Sequence, residues 1–379
     1  MKKLLAIASA FVLVIAVLLG LNVVLPAQNQ VDNTKEYGYV ASGTKSESSA
    51  FSLAAAHDDT YFLFGSSELS TTPEMVSSVP DNVFQEYDCG ISFSYIGDAY
   101  NQSLWHTIAA GAYAQEMPNK KIGLIVSPQW FEDGGLEPGI FEMRFSYSLY
   151  QQFCSNPSIS DSTKEYVCNR LNQEGVDRSV IDAGSANSAI DVVNDAVFSV
   201  MDDLKIRNDL REIRSGGMPY VEPNQKKSPD FDAIKSMALA QAEQSCTNNA
   251  YRVNDGYWTT YLEPNYEGLK DSQVEESLTQ TPEYDDLRAF MQLCEECGLE
   301  PYIIISPVHG SWYDYVGLDN QARNDYYSAV KSICESYDVS YLDLSPYEYE
   351  PYYLRDIMHL GWLAWPEIEQ GFMEFAKEN

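Results

Sequence analysis

The stretch TYFLFGSSEL, residues 60–69, decides how the rest of the chain is read. Thr60-Tyr61-Phe62-Leu63-Phe64 is a short β-rich run, and it breaks into Gly65-Ser66-Ser67-Glu68-Leu69. Glycine lets the backbone bend sharply there, so a serine is delivered on a strand-to-helix turn. A helix opening at this point sets Ser67 near free backbone N–H groups that can stabilise a developing oxyanion. Taken alone, the same residues also read as an N-cap pair, with Glu68 in the first turn favoured by the helix dipole.

Working outward, four similar runs follow at residues 91–95, 122–127, 302–306 and 340–344, separated by helical patterns. Strands alternating with helices predict an α/β fold with a central parallel sheet. Turn-forming or small residues end four of the five runs, at Gly65, Gly97, Ser127-Pro128 and Ser306-Pro307. In such sheets ligands bind beyond the carboxyl ends of the strands. Between about 139 and 300 the pattern is mainly helical, a long insertion with apolar spacing of 3 and 4. Tyr251, Tyr257, Trp258, Tyr261 and Tyr266 fall in it, as either a binding rim or an aromatic-rich loop.

Near the far end stands Asp356-Ile357-Met358-His359-Leu360-Gly361-Trp362. An Asp three residues before a His on a turn can hold the imidazole in one tautomer. A serine hydroxyl needs such a neutral imidazole as base, and the imidazole needs a carboxylate. Of the four histidines, His57, His106 and His309 have no carboxylate three residues upstream. Ser67, His359 and Asp356 are therefore the expected nucleophile, base and orienter of an acyl-transfer enzyme.

The amino terminus has its own logic. Lys2 and Lys3 precede an uncharged run from Leu4 to Leu25. A cleaved signal has an apolar stretch of roughly 7 to 15 residues, and this run is longer, of membrane-spanning length. The expectation is a retained single-pass anchor over residues 1–26, with the cytoplasm on the lysine side and the catalytic domain outside the cell. Residues 27–57, rich in Asn, Ser, Lys and Gln, read as a tether, and 58–379 as the catalytic domain.

The 379 residues, 45% apolar and 13% aromatic, can fill a core. A net charge of −32 repels phosphate backbones and argues against nucleic acid as a partner. Seven cysteines leave two pairs placed for disulfides outside the cell, Cys154 with Cys168 or Cys294 with Cys297. Cys294 and Cys297 also have zinc spacing, but a closed site needs four ligands and no second pair follows, so no metal is expected.

The glycine-x-serine block and the closing Asp-x-x-His block resemble the SGNH (GDSL-like) hydrolase superfamily, a three-layer fold. That resemblance implies Ser67, one residue after Ser66, as nucleophile, and Gly97 with Gln129, in place of the usual Asn, as the oxyanion hole. A closer resemblance is to the DltD family and covers most of the chain. It rests on Phe64-Gly65-Ser66-Ser67-Glu68-Leu69, Gly97 with Gln102-Ser103, and Val126-Ser127-Pro128-Gln129-Trp130-Phe131. It continues through Pro307-Val308, Trp312, Tyr315 and Gly317-Leu318 to His359-Leu360-Gly361-Trp362. The resemblance implies D-alanylation of lipoteichoic acid, with no cofactor. D-alanine would be loaded on a carrier protein and handed across by an MBOAT-type membrane acyltransferase. Ser66, Trp130 and Trp362 are the expected substrate contacts. The strong acidity and the seven cysteines depart from the family, and neither touches a motif residue. Hydrolysis by a thioesterase or esterase on the same residues, or a non-catalytic adaptor role, stand as alternatives.

Overall fold

A computed structural model of the chain describes residues 2–32 and 34–378, apart from the side chains of residues 2–8, 10, 11, 14, 15 and 138. Five strands form one sheet: β2 (Thr60–Phe64), β3 (Ser92–Ile96), β4 (Lys121–Val126), β6 (Glu300–Ile305) and β7 (Ser340–Asp343). Two two-residue strands, β1 (Lys35–Glu36) and β5 (Met218–Pro219), pair antiparallel elsewhere. The sheet runs β3-β2-β4-β6-β7, parallel throughout, so all five expected strands are present.

Alternation along the strands builds the layers. Phe62, Phe64, Leu124, Val126, Ile303 and Ile305 face one core, which the helices Ser103–Tyr113, Glu283–Cys297 and Asn320–Ser336 cover. Leu63, Ile125, Tyr302 and Ile304 face the other, under the helices Phe231–Ser245 and Ala364–Lys377. Successive side chains of a strand point to opposite faces, so a sheet buried on both sides reads as continuous apolar runs such as 302–305. The chain steps from β2 outward to β3, then back across β2 to β4. That reversal opens a crevice beyond the carboxyl ends of β2, β3 and β4.

The long crossover from β4 to β6 is helical for most of its length, as expected of the insertion. Its helix Ala189–Gly216 reaches back to the amino-terminal segment. Residues 27–57, expected as a tether, are instead packed: Tyr37 and Phe51 are fully buried with Ile206 and Leu210. Lys45 is also fully buried, and its Nζ donates to the carbonyls of Gly38 and Tyr95 at 2.6 and 2.8 Å. Burial pulls this ammonium down to about 7. The segment's few large side chains are isolated in sequence, so its average polarity hides them, yet Tyr37 and Phe51 meet edge to face in one small core, their ring centroids 5.3 Å apart.

Lys2–Val24 is helical. Among the described residues no helix is long and apolar enough to cross a membrane. Much of the expected anchor lies outside the described side chains. All seven cysteines are free, so neither disulfide pair is formed.

Candidate active site

β2 ends at Phe64, and Ser67 opens the 3-10 turn Ser67–Ser70. The turn is held by Glu68, which is 1% exposed and accepts from the Ser66 N–H at 2.8 Å. Burial raises the Glu68 carboxyl above the usual range. The sequence marked Glu68 only as a first-turn acid; its work is to hold the backbone just before Ser67. The Ser66 hydroxyl turns away, donating to the Asp98 carbonyl at 3.3 Å, and Asp98 in turn takes Arg144 Nη1 at 2.7 Å. Ser66 therefore lines the crevice while its hydroxyl ties two loops together.

The second contribution comes from residues 354–362. Asp356 Oδ1 accepts from the backbone N–H of Met358 and of His359, both at 2.9 Å. This short turn brings carboxylate and imidazole to the same side. His359 Nδ1 lies 2.9 Å from Asp356 Oδ2, and Nε2 lies 2.9 Å from Ser67 Oγ. A carboxylate only accepts, so Nδ1 carries the proton and Nε2 is left to accept from the serine hydroxyl. Asp356 is 1% exposed. Burial raises its pKa, but the His359 hydrogen bond and charge, then Arg355, outweigh that and hold it below the usual range. Gly361 lets the turn close, because a Cβ there would stand 2.5 Å from the Tyr352 carbonyl oxygen.

Ser67 and His359 open on a cleft of about 510 Å³, lined also by Ser66, Gln129 and Trp130. Gln129 sits on the turn after β4 and is half-buried. Trp130 is buried, with its ring stacked on His106 at a centroid distance of 5.5 Å. Sequence reading did not find several further lining residues: Tyr100 from the loop after β3, and Glu132, Leu136, Glu137 and Ile140 from the segment leading into the insertion. No motif marks them, since their place depends on how the insertion folds back.

Two expected site residues go elsewhere. The Gly97 N–H donates to the buried Ser46 Oγ at 2.9 Å, so it is not a free donor to the cleft. Glycine is required at 97 for a different reason: φ is +144°, and a Cβ would stand 1.8 Å from the Gly65 carbonyl oxygen. Trp362 is fully buried, with Nε1 donating to Gln241 Oε1 at 2.7 Å. An indole in a core needs such an acceptor, and meeting it ties the His359 turn to the helix Phe231–Ser245 instead of to a ligand.

The other histidines are engaged structurally. His309 caps a helix, with Nδ1 accepting from the Trp312 N–H at 3.3 Å and Nε2 donating to the Tyr251 carbonyl at 2.9 Å. His57 stacks on Tyr220. Tyr251, Tyr257, Trp258 and Tyr266 pack with Trp312, Tyr315 and Ile357 and so buttress the 354–362 turn, while Tyr261 is exposed; none of the five is part of the cleft lining. Among the described residues no cluster of three potential metal ligands occurs.

A serine whose proton can pass to an imidazole held by a buried carboxylate is equipped to attack an acyl carbonyl. A family model described as DltD protein matches residues 39–377. Protein DltD of Bacillus subtilis (strain 168) is 27% identical over 331 residues, covering 84% of this chain and 83% of that protein. Protein DltD of Lacticaseibacillus rhamnosus is 26% identical over 327 residues, covering 83% and 76%. Protein DltD of Staphylococcus aureus (strain NCTC 8325 / PS 47) is 22% identical over 322 residues, covering 84% and 81%.

Proposed function

The chain belongs to the DltD family, and from that premise we propose that it transfers D-alanyl groups to lipoteichoic acid at the outer face of the cell membrane, as a serine acyltransferase of the SGNH type. The observation that carries the enzymatic reading is the 2.9 Å contact between His359 Nε2 and Ser67 Oγ, joining residues 292 apart in sequence. The sheet order and the strand-end serine support the SGNH assignment. Support for an anchored, extracellular domain comes from the uncharged run 4–25 and from its uncovered side chains, among them Val12, Leu13, Val17 and Val23.

In the first half-reaction His359 takes the Ser67 proton while Oγ bonds to the D-alanyl carbonyl carbon. The bond to the donor then breaks, and His359 returns the proton to the departing group. A lipoteichoic acid glycerol hydroxyl attacks the acyl-enzyme in the second half, its proton passing to His359 and then to Ser67. Asp356 keeps the ring oriented and stabilises the imidazolium. The Ser67 N–H and the Gln129 amide are the donors offered to the oxyanion, each such donor contributing about 3 kcal/mol. The D-alanyl donor arrives from a carrier protein through an MBOAT-type membrane acyltransferase, and no cofactor is required.

The test is Ser67→Ala in cells. Ester-linked D-alanine on lipoteichoic acid should fall to the level of a strain lacking the protein, with the amount of variant protein unchanged. Full D-alanylation by Ser67→Ala would replace catalysis with the adaptor role. With purified protein, a D-alanyl ester and a glycerol-phosphate acceptor, new ester on the acceptor supports transfer. Free D-alanine alone would assign the same residues to hydrolysis.

A further inference from the structure

The helix Ala189–Gly216 turns its apolar side outward over its first turns. Ile190, Val192, Val193, Val197, Val200 and Met201 are between 43% and 63% exposed. At 3.6 residues per turn they share one side of the helix with the exposed Ala196, and between positions 190 and 201 that side carries no charge. The acids of the same stretch point the other way: Asp195 accepts from Tyr147 Oη at 2.8 Å and Asp191 from the Ser188 N–H at 2.9 Å. A surface helix normally buries its apolar stripe against its own domain, and a contiguous exposed one marks a contact with something else.

What that something is follows from the next turns of the same helix. Arg207 donates through Nε to the Pro26 carbonyl at 3.0 Å and through Nη1 to Asn22 Oδ1 at 2.6 Å, and it also donates to the Leu25 carbonyl. Arg214 donates to the Ala27 and Gln30 carbonyls at 2.6 and 2.8 Å. The point where the chain leaves its amino-terminal helix is thus fixed to this helix, about 9 Å along its axis from Met201 at 1.5 Å per residue. Between them lies a polar cleft of about 530 Å³, lined in part by Gln28, Gln152, Asp203 and Arg207.

We propose that residues 190–201 lie on the outer leaflet of the membrane, with the aliphatic side sunk into the boundary between headgroups and acyl chains. The inference rests on the membrane anchoring of residues 1–26 proposed above. The stripe, about 17 Å long at 1.5 Å per residue, begins beside the anchor's exit and is aliphatic, without the Trp, Tyr or Arg that anchor protein interfaces. Its opposite side is held to the domain, Asp195 accepting from Tyr147 Oη and Asp202 from the Ser148 N–H, so the helix lies in the interface by its aliphatic side and does not span it. The polar cleft then sits at headgroup level, and two attachments fix the orientation of the domain where the anchor alone would let it swing.

The test uses the full chain in vesicles of phosphatidylglycerol and phosphatidylethanolamine. A nitroxide is introduced through a ketone-bearing non-natural amino acid, leaving the seven cysteines untouched. It replaces, one at a time, Val197 on the stripe, Val17 in the anchor and Arg211 on the exposed polar continuation of the helix. Collision rates with oxygen, which concentrates in lipid, are compared with those of a water-soluble nickel chelate. The expected result is a ratio at Val197 several-fold above that at Arg211 and approaching that at Val17. A Val197 ratio equal to Arg211 with Val17 in lipid overturns the proposal and leaves the anchor intact. Shielding of Val197 from both reagents overturns it in favour of a protein contact. An aqueous Val17 defeats the anchor reading itself.

Discussion

Residues 354–362 and residues 96–113 each set a histidine against the carboxyl end of the sheet, and the two rings are treated in opposite ways. His359 has a partner on each nitrogen, Asp356 on one side and Ser67 on the other, and its side chain keeps 15% of its surface exposed. His106 is fully buried and neither of its ring nitrogens has a hydrogen-bond partner. It is packed among Phe64, Trp105 and Trp130, and burial depresses its pKa to about 3. A proton shuttle needs a carboxylate behind it, a reacting group before it and access to substrate; His106 has none of these and acts as an aromatic filler.

The contrast is broken most severely by Asp356→Asn. Loss of the carboxylate removes the acceptor that keeps the Nδ1 proton in place, and turnover of a D-alanyl ester should fall on the order of 10⁴-fold. Circular dichroism should stay native, because the amide oxygen can still accept from Met358 and His359. A loss below tenfold would remove Asp356 from the mechanism.

Gly97→Ala strikes the other region. Its Cβ would collide with the Gly65 carbonyl in a left-handed backbone, so a destabilisation of about 3 kcal/mol or more is expected in urea unfolding. Activity should drop with it, since Gly65 leads directly into the Ser67 turn. A variant as stable as the wild type would show that the strand ends can separate without cost.

The smallest effect is expected of His106→Leu, close in volume and without polar atoms. At neutral pH its stability should lie within about 1 kcal/mol of the wild type. In acid the two should part. Because the folded pKa of His106 is depressed to about 3, the unfolded chain binds the proton first. The wild type's stability is therefore whole above the unfolded value near 6.5 and falls as pH drops toward 3, by at most about 1.4 kcal/mol per pH unit from this group. His106→Leu should lack that increment in urea melts between pH 6.5 and 4. An unchanged slope would mean that the buried ring finds a partner for its charge.

Much of this was legible in the chain itself. β-rich runs, four of them closed by Gly or Ser-Pro, mark the five sheet strands. The signal is clearest at the central strands, which are buried on both faces and so read as apolar runs. Ser67, His359 and Asp356 were legible because local features identify them: a serine on a strand-end turn, and a carboxylate three residues before an imidazole. The errors share a different origin. Gly97 looked like an oxyanion donor until Ser46, 51 positions upstream, was found to take its N–H. Trp362 looked like a substrate contact until Gln241, 121 positions away, took its indole proton.

Sequence alone thus determined the strands and singled out the candidate residues Ser67, His359 and Asp356, since periodicity and short spacing act within a few residues of backbone. Only the tertiary structure decided which donors stay free, which residues of the insertion line the cleft and which side of the helix Ala189–Gly216 is left uncovered. Each of those is an allocation of hydrogen bonds and buried surface among groups far apart in the chain, and folding makes it only when those groups meet.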